Sequence, residues 1–299
     1  MPDPLPFAQD VESVKEARNY LWGANRTMGK KRKIKVAILD MYRNYPNQGL
    51  RNIKAITDDE SLNFEWSVFD VRGKQEIPDL DHDIFISSGG PGSPYDGEGK
   101  GWEANFFGLM DDIMTHNANG NPRKKYMFAI CHSFQLLARH FQLGHVCERK
   151  STAFGVFHVH KTENARNDQY FRNLPDPFYA VDSRDWQLIQ PDAGKIVEQD
   201  AVVLAIEKRR DHVPYERAIM AMRLTPYIYM TQFHPEADAQ GMLHYFQMPE
   251  KKEHVIRHHG DWKLEEMVHH LRDPEKLPLT RATLIPAFLR DARSSLILN

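Results

Sequence analysis

Residues 126–141, YMFAICHSFQLLARHF, are the stretch that best indicates the fold, and they contain a candidate catalytic cysteine. The apolar run YMFAI predicts a buried strand, and the segment after Cys131 has the spacing of an amphipathic helix. A cysteine at such a turn lies at a helix N-terminus, where backbone N–H groups and the helix dipole stabilise a thiolate. The stretch predicts a nucleophile raised above the edge of a sheet. A cysteine after an apolar strand can also be a small buried hydrophobe, so this segment alone leaves both interpretations open.

A tight strand-to-helix turn needs small residues two positions before and two positions after the nucleophile, because strand and helix approach each other closely there. Those positions hold Ala129 and Ser133. We expect Cys131 to adopt a strained backbone with positive φ. We also expect the Ser133 hydroxyl to find a partner near the pocket, because a buried unpaired hydroxyl is costly.

The segments around this turn predict an α/β fold with an open, mainly parallel sheet flanked by helices. Strand-like runs at 34–40, 64–71, 83–87 and 126–130 alternate with helical patterns at 50–56 and 102–114. Such alternation favours βαβ units, and ligands bind at the carboxyl ends of their strands. Further strand-like runs at 156–162, 178–181, 201–206, 218–224 and 227–233 have little helix between them, which predicts an antiparallel section of the same sheet.

Composition narrows the class of protein. The chain has 299 residues, a net charge of −2 and 41% hydrophobic residues, which is typical of a globular protein with no basic surface for nucleic acid or anionic membrane. With two cysteines and no apolar run long enough to span a bilayer, we expect a soluble cytoplasmic protein. We expect an N-terminal extension over 1–33 with a helix at 11–22, one domain over 34–240, and a helical extension over 241–299 packed on that domain.

Two other loops follow predicted strands. SSGGPGSPYDGEG, residues 87–99, contains Gly89, Gly90 and Gly92, whose backbone can approach a ligand and present N–H groups to an oxyanion. A plain glycine-rich turn is the alternative. YIYMTQFHPEAD, residues 227–238, delivers His234 and Glu236 to one side of an extended chain, which suits a carboxylate that orients an imidazole. By itself this pair can also be structural.

The three segments together supply a thiolate, a base and oxyanion donors at one edge of a sheet. The chain resembles the class I glutamine amidotransferases, such as the amidotransferase domain of GMP synthase. The resemblance lies in three motifs in this order: Gly-Gly-Pro-Gly-Ser-Pro, the Cys131 turn and Gln-Phe-His-Pro-Glu. The resemblance runs over about residues 34–238. It implies a flavodoxin-like α/β fold and hydrolysis of the glutamine side-chain amide to glutamate and ammonia.

The resemblance also implies roles for individual residues. It makes Cys131 the nucleophile, His234 the base and then the acid, and Glu236 the group that orients His234. The remaining implied residues are the oxyanion donors Gly90 and His132 and the substrate-binding residues Gly89, Gln135 and Ser183. No cofactor and no metal are implied. Paired histidines such as His158 and His160 lack a third ligand at convincing spacing.

The sequence leaves several alternatives for the substrate and for a partner protein. The family's turn is usually Gly-x-Cys-x-Gly, so Ala129 and Ser133 leave three alternatives: a glutaminase, a stand-alone γ-glutamyl peptide hydrolase, or an inactive binding protein with the same fold. About 60 residues follow Glu236, too few for an ATP-using synthase domain. We therefore expect any ammonia acceptor to lie on a separate synthase chain.

Overall fold

The computed structural model describes residues 32–298 except 44, 46, 211, 212, 214 and 215. The predicted helix at 11–22, and with it nearly all of the predicted extension over 1–33, lies outside the described residues. Among the described residues, no helix is long and apolar enough to cross a membrane.

Nine strands of the described chain form one sheet, in the order β2-β1-β3-β4-β9-β8-β7-β5-β6. The strands are β1 Lys35–Asp40, β2 Glu65–Asp70, β3 Ile84–Ser87, β4 Tyr126–Ile130, β5 His145–Lys161, β6 Phe178–Ile189, β7 Val202–Glu207, β8 Ile219–Thr225 and β9 Ile228–Thr231. The helices are α1 Gln48–Thr57, α2 Gly101–Ala118, α3 His132–His140, α4 Glu163–Asn167, α5 Ala193–Glu198, α6 Ala239–Gln247, α7 Pro249–His259, α8 Asp261–Arg272 and α9 Leu277–Leu298.

The predicted fold class is confirmed. Strands β2, β1, β3, β4 and β9 pair in parallel, and every residue of β3 and β4 is buried because helices cover both faces of the sheet. Strands β8, β7, β5 and β6 continue the sheet in antiparallel pairs. The carboxyl ends of β1, β3, β4 and β9 therefore meet at one edge, where the candidate residues follow them.

Strand β5 is much longer than the sequence predicted. The apolar run at 156–162 marks only its end, while the strand begins at His145 and pairs with β6 along most of its length. The register shifts between Glu148 and Ala153, so the residues between them leave the regular ladder. Because many residues of β5 are only partly buried, this part of the strand lacks the apolar pattern that would predict it.

Helices pack on the two faces of the parallel strands. Helix α1 begins at Asn47, whose side chain accepts a hydrogen bond from the N–H of Leu50, and it buries Ile53 and Ile56. Helix α9 packs on this same face, while α2 and α3 fill the opposite face. A third apolar cluster joins β5 and β6 to helices α6, α7 and α8.

Phe288 packs α9 against the core. Its ring is fully buried and meets the rings of Tyr126, Phe128, Tyr170 and Tyr229 at centroid distances of 5.3 to 6.3 Å. Edge-to-face contacts of this kind add to the free energy of burial. The C-terminal helix is therefore part of the packing that supports strands β4 and β9.

We expect Phe288→Ala to lower the free energy of unfolding by about 3–5 kcal/mol, because it opens a cavity among four aromatic rings. Urea denaturation measures this change. The control is Leu298→Ala, which truncates a side chain that is 86% exposed on the same helix and should change stability by less than about 0.5 kcal/mol. Equal, small effects of both variants would show that α9 contributes little to the core.

Candidate active site

Cys131 forms the turn between β4 and α3 with φ of 50° and ψ of −100°. The positive φ matches the strained conformation expected from the sequence, and a backbone of this kind costs about 1–3 kcal/mol. Two hydrogen bonds hold it: the Cys131 N–H donates to the carbonyl of Thr231 at 2.7 Å, and the Gln135 N–H donates to the carbonyl of Cys131 at 3.1 Å. The sulfur therefore lies at the N-terminus of α3, directly after a central strand.

Ala129 and Ser133 fit the turn in different ways. Ala129 is fully buried in β4, between Ser87 of β3 and Met230 of β9. The Ser133 hydroxyl donates to the carbonyl of Ser88 at 2.7 Å and lies 2.7 Å from the Ser87 hydroxyl. It therefore has partners, but they are the buried last residue of β3 and the buried residue directly after it. Ser133 is not among the residues lining the cavity around Cys131, contrary to our expectation that its hydroxyl would serve the pocket.

His234 follows β9 and is fixed by its own backbone. Its N–H donates to the carbonyl of Val181 at 2.9 Å, which bridges it to β6. Its Nδ1 lies 2.7 Å from Oε1 of Glu236, a carboxylate that is almost fully buried. The intervening Pro235 restricts the backbone, which favours the extended geometry that brings the two side chains together. The predicted pairing of imidazole and carboxylate is present.

His234 and Cys131 approach each other around Gly89. A Cβ added at Gly89 would lie 2.7 Å from Cε1 of His234 and 3.4 Å from Cβ of Cys131, so a side chain there would occupy the space between them. Burial alone would lower the pKa of His234, but the negative charges of Glu236 and Cys131 and hydrogen bonds to both outweigh it and hold this pKa well above its usual value. The charged imidazolium form of His234 is therefore favoured beside Cys131.

The glycine-rich loop after β3 lies beside the turn at Cys131, because Gly90 and Cys131 line the same cavity. Within the described part of the chain, neither the Gly90 N–H nor the His132 N–H has a hydrogen-bond acceptor. A Cβ added at Gly90 would lie 2.6 Å from the carbonyl oxygen of Met41, so only glycine fits this close approach. Arg72 fixes the loop by donating to the carbonyl of Pro91 at 2.7 Å and to that of Met41 at 3.3 Å. Two free N–H donors of this kind suit an oxyanion.

A cavity of about 370 Å³ adjoins the sulfur and is lined by the predicted residues Gly90, Cys131, Gln135, Ser183 and His234. The Cys131 Sγ lies 4.0 Å from the carbonyl oxygen of Ser183. The Gln135 amide donates to Oε1 of Gln232 at 3.1 Å, and the Gln232 amide donates to the Cys131 Sγ at 3.7 Å. These amides form a chain of hydrogen-bond donors that ends on the Cys131 sulfur.

Sequence reasoning missed three residues of this site. Gln232 lies two positions before His234, so the same alternation that paired His234 with Glu236 could have found it. Tyr42 follows β1, and the rule that strand ends carry ligands could have marked it. Burial raises the pKa of Tyr42 beyond its usual value, so its hydroxyl stays protonated beside His234. Arg72 gave no sequence signal, because its partners are carbonyl groups of distant loops.

The ring of His132 is buried against two positive charges. Neither of its nitrogens has a hydrogen-bond partner among the described residues. Burial, with smaller contributions from Arg72 and Arg139, lowers the pKa of His132 from 6.5 to about 3. The ring is therefore neutral near neutral pH.

The paired histidines of β5 are the candidate metal ligands that the sequence offers. The rings of His158 and His160 lie 5.3 Å apart on β5. Over residues 32–298, apart from the six undescribed positions, no group of three or more His, Cys, Asp or Glu side chains could hold a metal ion.

Comparisons with known proteins bear on the family and the fold of this chain. The family model "Glutamine amidotransferase class-I" matches residues 38–247. The fold is similar to that of a glutamine amidotransferase from Thermotoga maritima, with a TM-score of 0.63 and 16% identity over 88% of this chain and 99% of that one. It is also similar to a glutamine amido transferase from Methylobacillus flagellatus, with a TM-score of 0.58 and 15% identity over 89% and 94% of the two chains. No curated protein sequence matches the chain.

We expect His132→Leu to reduce the loss of stability in acid. The unfolded state gains a proton on His132 near pH 6.5, while the folded state gains it only near pH 3. Protonation therefore favours the unfolded state, and this residue lowers the free energy of unfolding as the pH falls below about 6.5. Between pH 7 and pH 4.5 the variant should lose about 2 kcal/mol less than the natural protein, measured by urea unfolding at each pH. His145→Leu, at an exposed histidine, is the control and should keep the original dependence. Identical acid dependence of the natural protein and His132→Leu would contradict the buried neutral ring.

Proposed function

The chain belongs to the class I glutamine amidotransferase family, and on that premise we propose that it hydrolyses the side-chain amide of glutamine to glutamate and ammonia through a thioester on Cys131. The observation that carries this proposal is the meeting of three groups at one sheet edge. A strained cysteine begins α3, an imidazole lies beside it, and a buried carboxylate holds that imidazole at 2.7 Å. Nucleophilic cysteine catalysis needs these three parts.

In the first step the Cys131 thiolate attacks the amide carbonyl of the substrate. The carbonyl oxygen becomes an oxyanion, which the N–H groups of Gly90 and His132 stabilise by hydrogen bonds. His234 gives a proton to the amide nitrogen, the C–N bond breaks, and ammonia leaves. A thioester between the substrate acyl group and Cys131 remains.

In the second step water attacks the thioester. His234, now neutral, takes a proton from the water, and its imidazolium is again stabilised by Glu236. The C–S bond breaks, glutamate leaves, and the thiolate is restored. Glu236 keeps one tautomer of the imidazole throughout, which is the role of the acidic member of such a triad.

We propose that the amino-acid end of glutamine lies in the cavity beside Cys131, against Gly89, Gln135 and Ser183. Support comes from the lining of that cavity, which includes Gln135 and Ser183 on the side of the sulfur next to β6. Asp185 lines the same cavity and offers a carboxylate to the substrate's ammonium group. Arg184 has its guanidinium engaged by Asp182, so it is a structural neighbour of the site.

The ammonia released would pass to a separate synthase chain, as the family suggests. We also propose that the protein works in the cytoplasm. Cys131 and Cys147, the cysteines of the described chain, are both free, which fits a reducing compartment.

We expect limited iodoacetamide at neutral pH to label Cys131 before Cys147, as measured by peptide mass spectrometry. By exposure alone the order would be reversed, because Cys131 is buried and Cys147 is half-buried. The Cys131 sulfur lies at a helix N-terminus and accepts a hydrogen bond from the Gln232 amide, which is the kind of environment in which cysteines are reactive. Faster labelling of Cys147 would contradict the assignment of the nucleophile, and Cys147→Ala, which should leave glutamine turnover unchanged, is the matched control.

We expect Cys131→Ala to abolish glutamate release from glutamine and His234→Ala to reduce it by at least about a thousandfold. The double variant should be little worse than Cys131→Ala, because the members of a triad act as one unit. Glu236→Gln should be milder than His234→Ala. A coupled glutamate assay measures these rates. Additive losses in the double variant would contradict a triad, and no turnover by the natural protein would favour a binding protein that keeps the fold.

A further inference from the structure

A second cavity shares His234 with the cavity beside the sulfur. It has a volume of about 360 Å³, and Tyr42, Ser183 and His234 line both this cavity and the one beside the sulfur. Cys131 lines only the first cavity. His234 is therefore in contact both with the cavity that would hold the acyl group and with a second cavity that Cys131 does not line.

The second cavity has one polar wall and one apolar wall. Gln48, Asn52 and Glu236 form the polar side, next to the imidazole. The Oε2 atom of Glu236 is buried and has no hydrogen-bond partner among the described residues. Strands β5 and β6, the segment after His234 and helices α6 and α7 form the apolar wall, with the side chains Phe154, Val181, Ala237, Met242, Phe246 and Val255. The rings of Phe154 and Phe246 meet edge to face at 6.3 Å.

The proposed reaction indicates which part of a substrate would enter the second cavity. The imidazole that takes the proton of the nucleophile must return a proton to the leaving nitrogen, so that nitrogen lies within hydrogen-bond reach of His234. Whatever is bonded to the nitrogen extends away from Cys131. His234 and Glu236 both line the second cavity, so a group bonded to that nitrogen can be received there.

Ammonia does not need such a space. A water molecule occupies about 30 Å³ in the liquid, and an apolar cavity of about 150 Å³ is enough to hold a benzene ring. A cavity of about 360 Å³ with an apolar far wall matches an alkyl or aryl group attached to the nitrogen. The carboxylate of Glu236 at its near end disfavours an anionic group there.

We propose that the second cavity binds the amine portion of N-substituted γ-glutamyl amides, and that this amine carries an apolar alkyl or aryl group. The proposal rests on the proposed function. His234 protonates the nitrogen as the C–N bond breaks, so the amine leaves as a neutral molecule and the γ-glutamyl group stays on Cys131 as a thioester. Water then releases glutamate, and amide plus water is converted to acid plus amine.

The test is a series of γ-glutamyl n-alkylamides from methyl to butyl, with glutamine and γ-glutamylglycine for comparison. Burying one methylene is worth about 0.8 kcal/mol, so kcat/KM should rise about fourfold per added methylene until the cavity is filled. γ-Glutamylglycine, which places a carboxylate in the cavity, should be cleaved at least about tenfold less efficiently than the ethylamide.

Two variants on α6 test the location. Met242 lines the cavity, while its neighbour Leu243 is also partly buried but lies outside the lining. Met242→Gln should lower the ratio of kcat/KM for the butylamide to that for the methylamide by about fivefold or more, and Leu243→Gln should keep the ratio. A ratio within one enzyme is insensitive to a general loss of folded protein.

The outcomes distinguish a failure of the amine subsite from a failure of the proposed function. Cleavage of glutamine without any rise along the alkyl series overturns the amine subsite, leaves the proposed function standing, and favours an ammonia path. An unchanged ratio in Met242→Gln overturns the location. If neither glutamine nor any amide forms a thioester on Cys131, as judged by mass spectrometry after an acid quench, the proposed function fails and the subsite fails with it.

Discussion

At Cys131 the chain turns from β4 into α3 with a positive φ, and the rest of the site depends on this turn. Its hydrogen bond to Thr231 fixes the turn to the end of β9, the strand whose continuation carries His234. Ser133, one residue into α3, fixes the same turn to Ser88, the residue before the glycine-rich loop. The strained residue is thus held from both neighbouring strands, and the groups that would assist a nucleophile lie at the ends of those two strands.

The fold and the main candidate residues follow from patterns that are local in sequence. Alternating apolar segments predicted the parallel strands, and the spacing of His234 and Glu236 predicted their pairing, because an extended chain puts alternate residues on one side. The partner of Ser133 could not be predicted in this way. Its hydroxyl was free to face either the pocket or the strand, and the position of the Ser88 carbonyl, which belongs to another segment, decides between them.

Other features depend on contacts between distant segments. The first part of β5 has few buried residues and is held by pairing with β6, so it shows no apolar pattern. Arg72 binds carbonyl groups from two loops, and such partners leave no mark in the sequence around it. The helices after Ala237 were expected from their periodicity, but nothing in that periodicity indicates that Met242 and Phe246 line a cavity beside His234.

The packing of α9 determines how far the chain could be shortened without exposing its core. The family model ends at residue 247, yet α9 extends from Leu277 to Leu298 and fills one face of the parallel sheet. Thr280 donates to the carbonyl of Tyr179 on β6, and Arg281 donates to the carbonyl of Glu236. A chain ended at the family boundary would expose the apolar side chains that now meet Phe288, and apolar surface of that kind promotes aggregation. The segment needed to cover this face of the sheet is therefore longer than the segment that the family model matches.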